Sequence, residues 1–349
     1  MAPAFSTANV KNARFPYVDL LRGVAVLLVI CRHWPLTSYL GNLGWLGVDL
    51  FFVISGFLIT NLLFSEHQKS GTIDFTRFFI RRGLKIYPLF FLMILATFFV
   101  SYWEGHEPRL RPYLHELLFI QNYFGGIYIH TWSLAIEEHF YLILMICFAL
   151  FIKGPQKLRY VFLVLIIGPI VFRLWRIMDG DLNNHFLTHT RIDSLFIGAM
   201  LCYGWRYKKD ALISLIEKNL LTIFIICCVY ILSFAFIAPE TAYTQGIGFT
   251  LIAIACAGIL VCALIAKGAG NVLTRPFSFI GYYSYSIYLL HIPAKSILEY
   301  FSVQEQSGWL NYGYFILYVF VCIAAGVAFS EMIEQPILRW RDRKIPSKA

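Results

Sequence analysis

The chain has 349 residues, of which 59% are hydrophobic and only 14% are charged, and its mean hydropathy is +0.67. An average soluble domain is about half apolar and about one-quarter charged, so this composition excludes an ordinary soluble domain and predicts an integral membrane protein. The net charge of +9 does not indicate a nucleic acid partner, because lysine and arginine are expected in the cytoplasmic loops of such a protein.

Ten apolar runs have about the length that a helix needs to cross a bilayer. We therefore predict an all-α integral membrane fold, a polytopic bundle of about ten transmembrane helices that forms a single domain over residues 1–349. No small-residue cleavage site follows the first run, so we expect no cleaved signal peptide. The runs lie at 17–34, 44–64, 86–103, 132–152, 159–176, 191–207, 219–237, 246–266, 277–298 and 312–332.

The distribution of positive charge orients this bundle. If the N-terminus is cytoplasmic, the inside segments carry 21 of the 29 lysines and arginines, the outside segments five, and the spans three. We therefore predict cytoplasmic termini and a multi-pass protein of the cytoplasmic (inner) membrane. The longest hydrophilic segment, 104–131, is too short for a separate soluble domain, so any chemistry is expected within the bundle. No internal repeat supports an inverted-repeat transporter.

The eight cysteines all lie in apolar runs, and their spacing fits neither a metal site nor a disulfide framework. We interpret them as small buried hydrophobic residues and expect no metal centre.

The first run carries two ionisable residues, Arg22 and His33. Their separation of eleven residues is close to three helical turns, which places them on one face, ~16 Å apart along the axis. Ionisable groups within spans commonly mark a functional path, although an arginine near a helix end can also snorkel to the interface. The predicted topology puts Arg22 toward the cytoplasm and His33 near the outer face.

The same topology brings further titratable residues from distant segments to the layer of His33. Each has a structural alternative: Asp49 or Asp193 can brace a span, and His291 can be a satisfied core histidine. Glu137 and Glu138 point about 100° apart on a helix, so at most one is expected to face a site squarely. Together they predict a site, because buried carboxylates need a partner or a proton. The set comprises Asp49, Glu137, Glu138, Arg191, Asp193 and His291.

His33 is the candidate general base, since a histidine can accept and return a proton near neutral pH. A carboxylate such as Asp49 or Glu138 could orient its ring, and the sequence leaves open which one does so. Ser55 lacks the strand-to-helix turn of a serine hydrolase and is interpreted as a helix-packing residue. Gly44, Gly47 and Gly56 lie around Asp49 and permit close helix contacts or a local break of the helix.

A basic cluster, which includes Arg81, Arg82 and Lys85, precedes the third run. It can be an ordinary cytoplasmic anchor, or a clamp whose guanidinium groups grip phosphate oxygens. With Arg22 it would form a basic track that leads into the bundle.

Six ordered motifs resemble the membrane-bound acyltransferase family 3, which O-acylates cell-surface polysaccharides, peptidoglycan, O-antigen and some macrolides. The resemblance covers nearly the whole chain. The motifs are Arg22 with His33, the run from Gly47 to Ile59, the run from Arg81 to Pro88, the run from Trp132 to Tyr141, Arg191-Ile192-Asp193, and the run from Gly281 to His291.

The resemblance implies acyl-CoA, by default acetyl-CoA, as a co-substrate that enters from the cytoplasm, with no permanently bound cofactor. The acceptor is expected to be a hydroxyl of a saccharide or glycan near the outer face, and membrane lipid and a second copy of the chain are possible partners. Arg81, Arg82 and Lys85 would hold CoA phosphates. Acceptor-binding or supporting roles are expected for Trp132, Ser133, Glu137, Arg191, Asp193, Tyr288 and His291.

Two features depart from the family pattern. His139 stands where the family usually has glutamine. The chain also ends at Ala349, so we expect no appended extracytoplasmic esterase-like domain, and transfer would need no second domain or a separate partner.

The hypothesis is that His33 activates an acceptor hydroxyl for direct attack on the thioester. A covalent acyl-histidine intermediate is the alternative. A transporter or flippase of a glycolipid or acylated molecule could use the same polar channel without bond chemistry, and a degenerate sensor or assembly subunit is a third possibility.

Overall fold

A computed structural model describes residues 16–348 except 35, 106, 267–271, 273 and 302–308. This described part is built from helices and contains no β-strand. Each of the ten apolar runs contains one main helix, and we number these helices α1–α10. They are Pro16–His33, Leu46–Ser70, Phe75–Trp103, Trp132–Phe151, Pro155–Met178, Asp193–Tyr207, Leu220–Ser233, Phe249–Ile265, Ser284–Phe301 and Trp309–Phe329.

Six helical stretches in the described ranges are long and apolar enough to cross a membrane, which confirms the integral membrane class. They are Ser38–Ser70, Phe75–Trp103, Ile129–Phe151, Pro155–Met178, Thr244–Ile265 and Trp309–Lys344. The helices α1 and α9 contain more charged or polar side chains, and α6 and α7 have only 15 and 14 residues. Ten crossings and cytoplasmic termini therefore stay predictions. Lys11, Arg14 and Lys267, which the charge count uses, lie outside the described residues.

Two boundaries differ from the predicted runs in a way that matters for the site. The helix α3 begins at Phe75 rather than at 86, because the Asp74 side chain caps it by accepting a hydrogen bond from Arg77 N at 3.0 Å. The basic cluster therefore lies on α3 itself rather than before it. The predicted ninth run divides into a short helix, Arg275–Tyr282, and α9.

The helices α1, α2 and α6 pack at backbone contact. A Cβ atom on Gly56 would lie 2.0 Å from Leu195 O, and one on Gly198 would lie 2.1 Å from Val53 O. A Cβ atom on Gly47 would similarly lie 2.3 Å from Ala25 O. The predicted role of Gly47 and Gly56 in close helix contacts is confirmed, and α2 is held between α1 and α6.

Short helices connect the main ones. The segment between α3 and α4 contains Leu110–Leu117, Gln121–Phe124 and a 3₁₀ turn, Ile129–Thr131, and Thr188–Arg191 leads into α6. Around His33 these connecting segments form part of a cavity wall. The other short elements are Ser38–Gly44, Lys209–Glu217, the π-helical turns Thr244–Gly248 and Ser330–Glu334, and Gln335–Lys344.

Candidate active site

Three cavities follow one another through the bundle. The basic cavity, about 250 Å³, is lined by side chains of α3 and of the C-terminal segment, together with Leu62 and Glu66 of α2. The central cavity, about 150 Å³, contains Arg22 and shares Arg82 and Lys85 with the basic cavity. The histidine cavity, about 710 Å³, contains His33 and shares Val48 and Tyr288 with the central cavity. Neighbouring cavities thus have common walls from the basic cluster to His33.

The basic cavity contains Arg81, as predicted, together with residues that the sequence analysis missed. Arg81 Nη2 donates to Asp342 Oδ1 at 2.9 Å and Arg81 also contacts the carbonyl of Ile345. Arg341 lines the same cavity and donates to Arg81 O at 3.1 Å. Because Arg341 lies 260 residues from Arg81, only the tertiary structure adds it to the cluster.

The central cavity joins cations from two helices with one carboxylate. Arg22 comes from α1, Arg82 and Lys85 from α3, and Glu137 from α4. Glu137 Oε2 accepts a hydrogen bond from Tyr141 Oη at 2.8 Å. This arrangement places Glu137 with Arg22, whereas the topology predicted from the sequence puts Glu137 in the layer of His33. The reason is its position five residues after Trp132, about 7.5 Å farther along α4.

Ser55 also lines the central cavity, so its interpretation as a purely packing residue is incomplete. It stands on α2 one turn after Phe51, which lines the same cavity. The motif that carries it gave no signal for this position, because a serine between apolar residues is common at helix contacts.

Three histidines lie ring to ring beside the histidine cavity. The ring centroids of His33 and His291 are 4.9 Å apart, and those of His291 and His130 are 4.7 Å apart. His130, which the sequence analysis missed, comes from the 3₁₀ turn before α4. In the described part of the chain, no group of three or more His, Cys, Asp or Glu side chains has the geometry to hold a metal ion.

Backbone carbonyls fix the tautomers of two of these rings. His130 Nε2 lies 3.1 Å from Leu289 O, and His291 Nδ1 contacts Tyr288 O. A carbonyl only accepts, so these nitrogens carry the ring protons. His130 Nδ1 and His291 Nε2 are then hydrogen-bond acceptors, and both are buried without a partner among the described residues. Two nitrogen lone pairs without a hydrogen-bond donor, on His130 Nδ1 and His291 Nε2, therefore lie near His33.

The carboxylates predicted to orient His33 have other partners. Asp49 Oδ1 accepts from Arg191 Nη2 at 2.8 Å and from Ser194 Oγ at 3.1 Å. Glu138 Oε2 accepts from Tyr87 Oη at 3.0 Å. Neither residue lines the histidine cavity as the structure describes it. The ring beside His33 belongs to His291, so the structure does not support an orienting carboxylate.

The motif Arg191-Ile192-Asp193 forms part of a fully buried charge network at the start of α6. Arg191 pairs with Asp49, and Asp193 Oδ2 accepts from Arg173 Nη2 at 2.9 Å. The Arg191 guanidinium also lies 3.7 Å from the centroid of the Phe249 ring. These residues connect α2, α5, α6 and α8 and so stabilise the packing of the helices around the cavities.

Tyr288 and Val48 form the wall between the central and histidine cavities. Tyr288 Oη donates to His130 O at 2.7 Å and accepts from Ser133 Oγ at 2.6 Å. The predicted residues Ser133 and Tyr288 thus meet, and they connect α4, α9 and the His130 turn. Trp132 lines the histidine cavity beside His185.

His185, which precedes α6, is a further lining residue without a sequence signal. Burial, and next the charge of Arg191, hold the pKa of His185 well below its ordinary value. It is therefore neutral at working pH and contributes an uncharged polar wall.

Sequence comparisons show the family of this chain. A profile of acyltransferase family 3, described as an acyltransferase domain, matches residues 15–331. A putative O-acetyltransferase of Staphylococcus aureus strain MRSA252 is 31% identical over 96% of this chain and 60% of its own length. The O-acetyltransferase OatA of S. aureus strain NCTC 8325 is 31% identical over 92% of this chain and 57% of its own.

The chain thus spans about 60% of the length of these curated relatives. No solved structure matches it. The profile covers α1–α10 and every lining residue of the central and histidine cavities, while the C-terminal wall of the basic cavity lies beyond it. Both relatives exceed 30% identity over nearly the whole chain. The chain therefore belongs to acyltransferase family 3.

Proposed function

We propose that this protein moves an acyl group, by default acetyl, from cytoplasmic acyl-CoA to a hydroxyl of a saccharide or glycan near the outer face of the inner membrane. One observation carries the proposal: the basic, central and histidine cavities have common walls at Arg82 and Lys85 and again at Val48 and Tyr288. The O-acetyltransferase names of the relatives support transfer of an acetyl group to an oxygen atom. Ten crossings with cytoplasmic termini complete the proposed arrangement.

The donor enters at the basic cavity. Arg81, Arg82, Lys85 and Arg341 supply guanidinium and ammonium groups that suit CoA phosphates. The pantetheine arm then follows the central cavity past Arg22. Arg22 and His33 are ~16 Å apart along α1, and the pantetheine arm covers this distance to bring the thioester toward His33.

The chemical step uses His33 as base. The acceptor hydroxyl gives its proton to a His33 ring nitrogen, and its oxygen attacks the thioester carbonyl carbon. The carbon–sulfur bond breaks, and the leaving CoA thiolate takes the proton back from His33. We assign His291 Nε2, an unpaired acceptor beside His33, to receive the other His33 ring proton and hold the ring. In this role a neutral histidine replaces the carboxylate of a catalytic triad.

The test uses the purified full chain in lipid nanodiscs with radiolabelled acetyl-CoA and a neutral oligosaccharide. We expect acylated oligosaccharide from the wild type and a fall of at least ~100-fold in kcat for His33→Ala. His67→Ala is the matched control, because His67 lines none of the three cavities. Full acceptor acylation by His33→Ala would refute the role of His33 as base, and no acylation by the wild type would refute the proposed transfer.

The same variant separates the two mechanisms. Without acceptor, a covalent acyl-histidine mechanism requires radiolabel on the wild type and none on His33→Ala. Label that persists on His33→Ala excludes the acyl-histidine. Direct transfer requires acceptor before CoA is released.

A transporter remains the second candidate function, since linked cavities can also carry a substrate. It predicts movement of a lipid-linked saccharide without CoA release and without dependence on Arg82. Under the acyltransferase proposal, Arg82→Ala should instead raise the KM for acetyl-CoA about tenfold. Arg109→Ala, on an exposed connection, is the control. Mass spectrometry of surface glycans from expressing and deleted cells, read for an acyl increment, tests the function in the cell.

A further inference from the structure

The segment that ends the described chain lies against the basic cavity. The helix Gln335–Lys344 is followed by residues 345–348, which have no regular secondary structure. Ser347 and Lys348 line the basic cavity, as does Arg341 of the helix. We call residues 342–348 the strap.

The strap places a carboxylate between two of the cations that were assigned to the donor. Asp342 Oδ1 accepts a hydrogen bond from Arg81 Nη2 at 2.9 Å. The same oxygen accepts from Arg341 Nε at 3.0 Å and lies 2.9 Å from Arg341 Nη2. One carboxylate oxygen of this chain thus binds both guanidinium groups, and guanidinium groups bind phosphate oxygens in the same way.

Backbone carbonyls of the strap bind the arginines of α3 as well. Arg81 Nη1 donates to Ile345 O, and Arg77 Nη1 donates to Pro346 O at 3.0 Å. Both terminal nitrogens of Arg81 therefore have acceptors in the strap. A two-pronged contact between arginine and phosphate commonly uses these nitrogens, so a phosphate at Arg81 has to compete with the strap.

The strap is attached by contacts near the surface. The Asp342 side chain is 55% exposed, and the ion pair of Lys348 with Asp74 is long, at 3.6 Å, between side chains that are 42% and 35% exposed. Exposed ion pairs contribute little to stability, because water weakens them and the two side chains lose conformational entropy. The strap can therefore leave the cavity without loss of the buried helix contacts.

The charge of the basic cavity favours such a displacement by a phosphate. Six of its described lining residues are arginine or lysine, and one, Glu66, is acidic. Glu66 Oε1 accepts from Asp74 N at 3.1 Å and so belongs to the turn before α3. A phosphate monoester carries about −1.5 to −2 charges at pH 7, whereas Asp342 supplies a single one. A ligand with several phosphate charges therefore gains more from this cavity than the strap does.

We propose that acyl-CoA binds by displacing the strap: a CoA phosphate takes over the guanidinium groups of Arg81 and Arg341 from Asp342 and from the strap carbonyls. Asp342 is then an internal competitor that lowers the affinity for the donor, and the strap closes the basic cavity until CoA arrives. The proposal rests on the proposed function for the identity of the ligand.

Calorimetric titration of CoA into the full chain in phosphatidylcholine nanodiscs, without acceptor, tests the role of Asp342. Asp342→Asn preserves the shape of the side chain and removes its charge, so we expect the Kd of CoA to fall about fivefold, the effect of one exposed ion pair. Asp342→Glu restores a carboxylate and should return the Kd to within about twofold of the wild type.

Asp210→Asn is the matched control for the lost negative charge. Asp210 is exposed, lies in a segment predicted to be cytoplasmic, and lines none of the three cavities. The Kd of CoA should stay unchanged in this variant. A Kd that rises or stays unchanged in Asp342→Asn, or an equal fall in Asp210→Asn, would overturn the proposal.

Hydrogen exchange of the wild type follows the strap without any substitution. The amide of Ile345 donates to Arg341 O at 2.7 Å, and release of the strap exposes this amide to solvent. We expect saturating CoA to accelerate exchange in a peptide that covers 342–348, with the buried helix α6 as the internal control. Unchanged or slower exchange in that peptide would show that the strap stays in place or closes over the donor, contrary to the proposal.

These outcomes are separate from a failure of the proposed function, because both measurements use CoA without acyl transfer. If the protein transfers no acyl group while Asp342→Asn still binds CoA more tightly, the acyltransferase proposal fails and the role of the strap stands. Acyl transfer by the wild type with equal Kd values for Asp342→Asn and the wild type would give the opposite result. No binding of CoA by either protein would refute the assignment of the donor site and the strap together.

Discussion

The buried pair of Asp49 and Arg191 allows a sharp test of whether Asp49 acts chemically. Both side chains are fully buried, and the pair joins α2 to the start of α6. Asp49→Leu leaves the Arg191 cation without its carboxylate, and breaking such a pair from one side costs about 3–5 kcal/mol. The face of Phe249, 3.7 Å from the guanidinium, still stabilises the cation, so we expect a loss near the lower end, about 3 kcal/mol.

Thermal unfolding of the protein in detergent measures this loss. At about 2 °C per kcal/mol for a large domain, Asp49→Leu should lower Tm by roughly 6 °C. Adding Arg191→Met removes the unpaired cation and should restore most of the stability, because replacing a whole buried pair by apolar residues is often neutral.

Activity of the double variant then decides the role of Asp49. Because neither residue lines the histidine cavity, we expect the stable double variant to recover acyl transfer to within about tenfold of the wild type. A double variant with wild-type Tm and no activity would refute this reasoning and return Asp49 to a chemical role.

Three further predictions concern the wall between the central and histidine cavities, the donor site and the buried carboxyl group of Glu116. Val48→Trp, in the wall between the central and histidine cavities, should lower kcat about 100-fold and leave the Kd of acetyl-CoA unchanged, because the larger side chain obstructs the thioester between the two cavities. An equal loss of affinity for acetyl-CoA would contradict passage of the thioester between these cavities. Arg341→Ala should raise the KM for acetyl-CoA about tenfold, while Arg343→Ala, at an exposed position, should not. Burial raises the pKa of Glu116 above its ordinary 4.5, so the folded protein retains a proton that the unfolded chain releases. The stabilisation from the protonated Glu116 carboxyl group is therefore complete below about pH 4.5 and is lost as the pH rises through the pKa of the folded state. Glu116→Gln should reduce the corresponding decline of Tm with pH. An unchanged slope of Tm against pH would exclude Glu116 as the source of the decline.

The family comparisons confirm the resemblance that the motifs carried, yet several site residues came only from the structure. His130 and His185 stand in connecting segments, where a single histidine has no periodic context that distinguishes it. Arg341 joins the basic cavity because the C-terminal segment contacts Arg81.

The sequence by itself determined the membrane class, the helices and the spacing of Arg22 and His33, because hydropathy and helical period are local properties. It also identified the basic cluster and the motifs. Which buried charged side chains pair with each other is not a local property of the sequence. The sequence leaves Asp49 and Glu138 as equal candidates to orient His33. Helix packing pairs Asp49 with Arg191 and Glu138 with Tyr87. The ring of His291 stands beside His33 because α1 and α9 contact each other, and only the tertiary structure could decide that.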